Sequence, residues 1–306
     1  MDTLKKHIHK EKLPDNFLNT VETFYWPIVC EIVDRLKHID HDETVPPFFL
    51  GVQGAQGSGK STLASFIKLM LEQGFAKNCL VLSIDDFYRT KAERKALGSQ
   101  VHPLLTTRGV PGTHDIDLFN DTWDSIKQIG EGQTLDIVTF DKSLDDRAAK
   151  KDWQRVSMPQ DVVILEGWCV GVSAQKKTDL IQPINALETH EDADGRWRQY
   201  VNDQIQHHYK PVYDQFNGLV VLQSPSFECV LQWRTKQERK LIEKLQANDQ
   251  PLHDTMSPTQ IKRFISYYQR LTEHAMETLP EKADWLLVLH ANHAVTNLVQ
   301  RANENE

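Results

Sequence analysis

A glycine-rich segment, GAQGSGKST at residues 54–62, directly follows the short apolar run PFFLGVQG at 47–54. It satisfies the pattern G-x-x-x-x-G-K-[ST], in which glycines let a loop wrap closely around phosphate while its backbone N–H groups point at the oxygens. An amphipathic helical pattern follows at 60–73. Because the N-terminus of a helix attracts anions, strand, loop and helix together predict a phosphate-binding P-loop. The predicted binding residues are Gly54, Ala55, Gln56, Gly57, Ser58, Gly59, Lys60, Ser61 and Thr62.

In such a loop the lysine, here Lys60, reaches the β- and γ-phosphates, and the hydroxyl of Ser61 occupies one position on Mg²⁺. No N/T-K-x-D element, which would read guanine, follows a later strand. We therefore predict ATP and Mg²⁺ as cofactors.

Strands and helices alternate after the P-loop, and the strand candidates are almost entirely apolar. This pattern predicts an α/β fold, a three-layer α/β/α P-loop NTPase with a mostly parallel central sheet. Strands are predicted at 79–84, 135–140, 161–167, 218–223 and 283–290, and helices at 16–39, 60–73, 115–129, 194–216, 224–247 and 257–279. Ligands of such sheets bind at the carboxyl ends of the strands.

Helix starts and domain limits follow from local signals. Ser257-Pro258-Thr259-Gln260 is a capping box, and Ser224-Pro225 repeats the proline signal. The stretch HDETVPP at 41–47 is predicted to be a loop. We expect residues 1–45 to form a helical segment packed on a P-loop domain at 46–306, which carries a substrate or lid insertion around 169–216.

Charge and hydropathy argue against several classes of protein. The net charge is −8, which argues against a protein that mainly binds nucleic acid or an anionic membrane. No apolar run approaches the ~20 residues needed to span a bilayer, and the first 16 residues lack the apolar stretch of a signal peptide. The four cysteines are far apart and form no CxxC, so we expect buried free thiols and a cytoplasmic protein.

Acidic residues follow two of the strand candidates. In SIDDFY, Asp85 or Asp86 could accept a proton from an attacking hydroxyl or help to hold a metal, or the pair could cap a helix. Glu166 ends the apolar run VVILEG, where P-loop proteins carry an acid near Mg²⁺, although a buried ion pair would also explain it.

Three further segments carry charge near the expected site. TTRGVPGTHDIDLF (106–119) leads into a helix capped by Thr113 or Asp115, and an ordinary loop would explain its glycines. FDKSLDDR (140–147) is either a solvated turn or a substrate loop. LQWRTKQERK (231–240) is either a solvated helix face or a lid whose arginines meet the phosphoryl group in flight.

The combination of GAQGSGKST, SIDDFY, HPLLTTRGVPGTHD, FDKS with DR, ILEGW and WRTKQE, in this order, resembles the D-glycerate 3-kinase family and its bacterial relatives. That family lies in the group that contains uridine kinase, phosphoribulokinase and pantothenate kinase. The likeness covers roughly residues 15–290. It implies a P-loop kinase that uses ATP and Mg²⁺ to phosphorylate a small hydroxylated metabolite.

The resemblance also implies roles for individual residues. It makes Lys60, Asp85, Glu166 and Arg234 catalytic, and Ser61 and Glu166 metal-binding. It assigns to the acceptor side Asp85, Tyr88, Arg108, His114, Asp115, Asp141, Lys142 and Arg147. Arg239 falls with Arg234 in the lid.

We expect Asp85 to deprotonate the acceptor hydroxyl, and Arg108 or Arg147 to face a carboxylate-bearing acceptor, D-glycerate first. A nucleoside, a pantothenate-like compound or a sugar is the alternative acceptor, and a P-loop ATPase switch is the alternative outside the kinases.

Overall fold

The computed structural model describes residues 2–38, 46–157, 159–248 and 255–301. Most of the predicted loop at 41–47, namely 41–45, lies outside these residues. Within the described part, no helix is both long and apolar enough to cross a bilayer.

A six-stranded sheet forms the centre of the molecule, in the order β10-β9-β8-β1-β7-β2. Its five successive strands from β2 to β9 are parallel, and only β10 at the edge is antiparallel. The bounds are β1 Phe48–Gly54, β2 Cys79–Ser83, β7 Val162–Gly167, β8 Gly218–Gln223, β9 Trp285–Leu289 and β10 Val295–Gln300.

Helices cover both faces of this sheet, which confirms the three-layer α/β/α fold. Every residue of β1 and β7 is buried, as expected for strands sandwiched between helix layers. One core cluster joins one face to the N-terminal helices and α4, and a second joins the other face to α6, α8 and α11. The helices are α1 Asp2–Lys10, α2 Phe17–Thr20, α3 Trp26–Lys37, α4 Lys60–Phe75, α5 Lys91–Gln100, α6 Ile116–Gln128, α7 Ala186–Glu191, α8 Arg196–Gln204, α9 Lys210–Tyr213, α10 Phe227–Ala247 and α11 Pro258–Thr278.

The prediction at 135–140 was wrong in its placement, because this segment does not join the central sheet. β3 (Thr134–Ile137) pairs antiparallel with β6 (Gln154–Ser157), and β4 (Phe140–Asp141) pairs with β5 (Asp146–Arg147). β3 is only partly buried, unlike the central strands. The sheet instead gains β10, whose mostly exposed residues give no apolar run. Apolar runs find buried strands and miss a solvated edge strand.

Of the two helix starts predicted from local signals, one is confirmed and one is misplaced. The capping box at Ser257 is present, and α11 begins at Pro258. α10 begins at Phe227, three residues after the predicted start at 224, because the hydroxyl of Ser226 rather than Ser224 caps it. The predicted helix at 16–39 divides into α2, one π-helical turn and α3. Of the four cysteines, Cys30 is exposed, which corrects the expectation that all are buried.

Candidate active site

The parallel register brings the predicted acids to the P-loop. Val52 of β1 and Ser83 of β2 both pair with Glu166 of β7, so the ends of three adjacent strands lie at one level. The P-loop leaves β1 at this edge, and Asp85 follows β2 there in a short 3-10 helix. The carboxyl edge of the sheet therefore gathers the loop and both acids, as the fold rule predicts.

The loop itself has the backbone that its glycines permit. Gly57 and Gly59 have φ values of 80° and 95°, in the left-handed region that favours glycine. Gly59 is the N-cap of α4, and the backbone N–H of Leu63 donates to its carbonyl at 2.9 Å. A Cβ on Gly54 would lie 2.4 Å from Oγ of Ser58. The loop is thus wrapped tightly at the start of a helix, where its N–H groups can face phosphate.

Three P-loop and strand-end side chains form one polar group. Oγ of Ser61 donates to Oε1 of Glu166 at 2.9 Å, and Nζ of Lys60 lies 3.9 Å from Oε2. Glu166 is only 6% exposed, and its Oε2 has no hydrogen-bond partner among the described residues. A hydroxyl and a buried carboxylate oxygen in need of a partner are hard oxygen ligands, which suit Mg²⁺.

Asp85 lies beside this group and has two partners. Its Oδ1 accepts from the Tyr88 hydroxyl at 3.0 Å, and its Oδ2 accepts from Nζ of Lys142 at 2.7 Å. Burial raises the pKa of the Asp85 carboxyl, but Lys142 and then Lys60 outweigh burial and hold that pKa below its ordinary value. Asp85 is therefore a carboxylate at neutral pH.

Asp86 has a different surrounding. Its Oδ1 accepts from the backbone N–H of Phe140 at 3.1 Å, which ties β4 to the end of β2. Burial raises the pKa of Asp86. Neither acid caps the next helix, because Thr90 caps α5 in a capping box with Glu93.

The other predicted acceptor residues surround Asp85. The ring of His114 stacks on that of Tyr88 with centroids 4.4 Å apart, and Asp115 caps α6. Lys142 stands on the β4–β5 turn, where Asp141 accepts hydrogen bonds from Ser143 and Leu144. The structure thus brings these segments to one side of Asp85, and the side chain of Asp141 serves the turn.

The two arginines expected to face the acceptor have carboxylate partners within the chain. Arg108 pairs with Asp145 and also reaches the carbonyl of Lys142. Arg147 donates to Asp115 at 2.6 Å and to the carbonyl of Tyr88 at 3.2 Å. Arg147 thereby ties α6 to the segment that carries Tyr88.

The sequence matches no family model. It is 30% identical over 235 residues to the probable ATP-dependent kinase TDA10 of Saccharomyces cerevisiae. This alignment covers 72% of this chain and 75% of that protein. It is 27% identical over 266 residues to the chloroplastic D-glycerate 3-kinase of Arabidopsis thaliana, covering 80% of this chain and 52% of that protein. The structure of D-glycerate 3-kinase from Cryptococcus neoformans has the same fold, with a TM-score of 0.70 at 24% identity over 90% of this chain and 98% of that one.

The chain belongs to a family of P-loop kinases that includes D-glycerate 3-kinase. It is an ATP-dependent small-molecule kinase.

The two arginines that the sequence analysis assigned to a lid lie apart from each other. Arg234 is half-buried between α10 and α11, 2.7 Å from Oε2 of Glu238, with its guanidinium over the ring of Phe264. Arg239 is exposed and lies 3.6 Å from Glu243. Arg239 thus belongs to a solvated helix face, whereas Arg234 lies beside the cluster that contains Ala55 of the P-loop.

Two residues of the kinase were missed by the sequence analysis. Tyr209 is buried and its hydroxyl oxygen lies 2.7 Å from Nδ1 of His114. Arg89 is close enough to lower the pKa of His114, and its Nε is buried without a hydrogen-bond partner in the described part of the chain. The arginine directly follows SIDDFY and could have been noticed there. Tyr209 gives no comparable local signal.

A cavity of about 500 Å³ adjoins the P-loop, and Asp85 is not among the residues that line it. P-loop residues Gly59 and Thr62 form one wall, and Trp233 and Gln237 of α10 form another. The β9–β10 turn closes it with His293, whose ring stacks on Trp233 at 4.5 Å. The N-terminal segment around Phe17 completes the wall.

The buried imidazole of His114 predicts a pH-dependent stability. Burial lowers the pKa of His114 to about 4, whereas an unfolded histidine titrates near 6.5. The unfolded chain therefore binds more protons in this window, so stability falls as the pH drops from 6.5 to 4 and changes no further below. The full effect is about 3 kcal/mol of unfolding free energy.

Urea unfolding of the wild type and of His114→Asn across this pH range tests the prediction. The unfolding free energy should depend less steeply on pH in the variant. His208→Asn, which changes an exposed imidazole, is the control, and an equal slope in His114→Asn and wild type would contradict the assignment.

Proposed function

We propose that this kinase transfers the γ-phosphoryl group of ATP to a hydroxyl of a small carboxylate-bearing metabolite, with D-glycerate as the first candidate. The observation that carries the proposal is the position of Asp85, an ionised carboxylate at the same sheet edge as the P-loop and Glu166. The names of the Arabidopsis and Cryptococcus relatives support D-glycerate as the acceptor.

In this proposal the P-loop backbone holds the phosphates and Lys60 neutralises the charge of the transferred group. Ser61 and Glu166 would hold Mg²⁺, since the hydroxyl and the unpartnered carboxylate oxygen fit a hard cation. When bound, the metal supplies positive charge next to the phosphate oxygens. Positioning and electrostatics dominate phosphoryl transfer, so these groups need little motion to act.

Asp85 orients and deprotonates the acceptor hydroxyl. Its hydrogen bonds with Tyr88 and Lys142 hold the carboxylate in one orientation, which is what a general base needs. Arg234 on α10, beside the cluster that contains Ala55 of the P-loop, is the arginine that we assign to the phosphoryl group.

The acceptor side offers positive charge that suits a carboxylate. Lys142 is 61% exposed beside Asp85, and Arg108 is 29% exposed next to it. Arg108 can share its guanidinium between Asp145 and a substrate carboxylate, since it presents five N–H donors. Tyr88 and His114 belong to the same acceptor side. Arg147 and Asp141 stabilise the segments that carry these acceptor-side residues.

The cavity beside Gly59 and Thr62 is where we place the nucleoside part of ATP. Gln237 lines it, and its amide lies 3.3 Å from where a Cβ on Gly57 would be. We expect Gln237→Ala to raise the KM for ATP about two- to tenfold, the value of one neutral hydrogen bond, while the acceptor KM stays unchanged. Gln232→Ala, an exposed change on the same helix, is the control. A larger effect on the acceptor KM than on the ATP KM would place the nucleoside elsewhere.

The test of the function is ATP turnover by the purified protein with one candidate acceptor at a time. We expect D-glycerate to stimulate turnover strongly and to appear as a phosphorylated product by mass spectrometry. A stronger response to a nucleoside, a pantothenate-like compound or a sugar would replace glycerate and keep the kinase. Turnover that no acceptor stimulates would overturn the proposal in favour of an ATPase switch.

A further inference from the structure

Tyr209 has two hydrogen-bond partners, and together they fix the direction of its hydroxyl. The backbone N–H of Gly112 lies 3.0 Å from the phenol oxygen and can only donate to it. The second partner is Nδ1 of His114 at 2.7 Å. Tyr209 is 1% exposed, and a buried O–H needs an acceptor. Because Gly112 offers none, the hydroxyl donates to Nδ1.

This direction determines where His114 carries its proton. Burial keeps the imidazole neutral at physiological pH, since its pKa falls to about 4. A neutral imidazole has one N–H, and Nδ1 is used as an acceptor. The proton is therefore on Nε2.

The Nε2–H of His114 has no acceptor among the described residues, although the atom is buried. Leaving a buried donor unpaired costs roughly 1–3 kcal/mol, so an unpaired one calls for an explanation. The ring stacks on Tyr88, whose hydroxyl binds the proposed catalytic base, and the charge of Asp85 acts on the imidazole. The unpaired donor thus belongs to a ring that packs directly on Tyr88 and feels the charge of Asp85.

We propose that Tyr209 is a positioning residue, which sets the tautomer of His114 so that its Nε2–H donates to an oxygen of the phosphoryl acceptor. The inference rests on the proposed function, because it needs an oxygen-bearing acceptor next to Asp85. It assigns to His114 the role of a fixed neutral donor. A general base at this position would need a higher pKa.

Nitrogen-15 NMR of the histidine-labelled protein at neutral pH tests the tautomer without any activity. We expect His114 to show a protonated Nε2 and an unprotonated Nδ1 in the wild type, and to lose this state in Tyr209→Phe. Tyr213→Phe is the matched control, because it removes a partly buried phenol that lies one helical turn further on and donates to Sγ of Cys169 instead of contacting His114. A protonated Nδ1 in the wild type would overturn the proposal, and so would equal spectra for the two variants.

Kinetics test the donor. An asparagine at 114 keeps an acceptor near Nδ1 but lacks the reach of Nε2, whereas a glutamine amide reaches that position. We expect His114→Asn and Tyr209→Phe to raise the acceptor KM about tenfold or more with little change in the ATP KM. His114→Gln should raise the acceptor KM less than His114→Asn does, and Tyr213→Phe should change either KM less than about threefold.

The two proposals fail in distinguishable ways. In one case no carboxylate acceptor is found, but the tautomer is as expected and the variants differ in KM for another acceptor. Glycerate then fails as the substrate, and the role of Tyr209 stands. If glycerate is phosphorylated and His114→Asn leaves its KM unchanged, the donor serves no substrate and this inference is overturned.

Discussion

Replacing Lys60 by alanine is expected to abolish phosphoryl transfer while the protein remains folded. Lys60 is the cation of the P-loop, and its Nζ is 3.9 Å from the buried Glu166. Its loss removes charge stabilisation from the transferred group and leaves Glu166 without its nearest positive charge. Loss of one preorganised charge or donor in a transition state costs about 10²–10³ in kcat, and here two effects combine.

The matched control is Lys68→Ala on the same helix. The ammonium of Lys68 donates to the carbonyl of Cys79 and lies 3.3 Å from Glu72, so it does not belong to the site. Binding of a fluorescent ATP analogue measures the backbone cradle separately, and we expect Lys60→Ala to weaken binding much less than it lowers kcat. A folded Lys60→Ala protein that keeps most of its kcat would contradict the mechanism.

The parts of the site that the sequence predicted are those defined by local pattern. Gly57 and Gly59 lie five residues or fewer from the strand and helix that they join, so spacing alone identifies the loop. Glu166 was found because an acid that ends an apolar strand stands out. The sheet rule then brought both acids to the P-loop, since parallel strands end at one edge.

The parts that it could not predict depend on contacts between distant segments. Arg108 or Arg147 was expected to face a substrate, and the sequence shows no sign that each has a carboxylate partner, Asp145 and Asp115, 37 and 32 residues away. Tyr209 lies 95 residues from His114, on a helix whose sequence gives no hint of that contact. Charge and residue type show which groups can bind an anion, but only tertiary structure shows which are already paired.

Asp85→Asn is the change that best tests the chemistry at the acceptor, and we expect it to lower kcat by about 10²–10⁴, the usual contribution of a general base. The amide keeps the size of the carboxylate and can still accept a hydrogen bond from Tyr88. It cannot take the proton of a hydroxyl, and it removes the partner of Lys142. The KM for ATP should change little, because Asp85 acts on the acceptor.

Two further variants separate the causes of that loss. Lys142→Met breaks the 2.7 Å ion pair and leaves the carboxylate, so it should cost much less in kcat than Asp85→Asn. Asp86→Asn keeps an oxygen that can accept from the backbone N–H of Phe140, so it should be nearly neutral for kcat. Steady-state kinetics on the three purified variants decide between the acids. A large loss of kcat in Asp86→Asn with a small loss in Asp85→Asn would mean that Asp86 is the base. A residue that only ties β4 to β2 would not affect the chemical step.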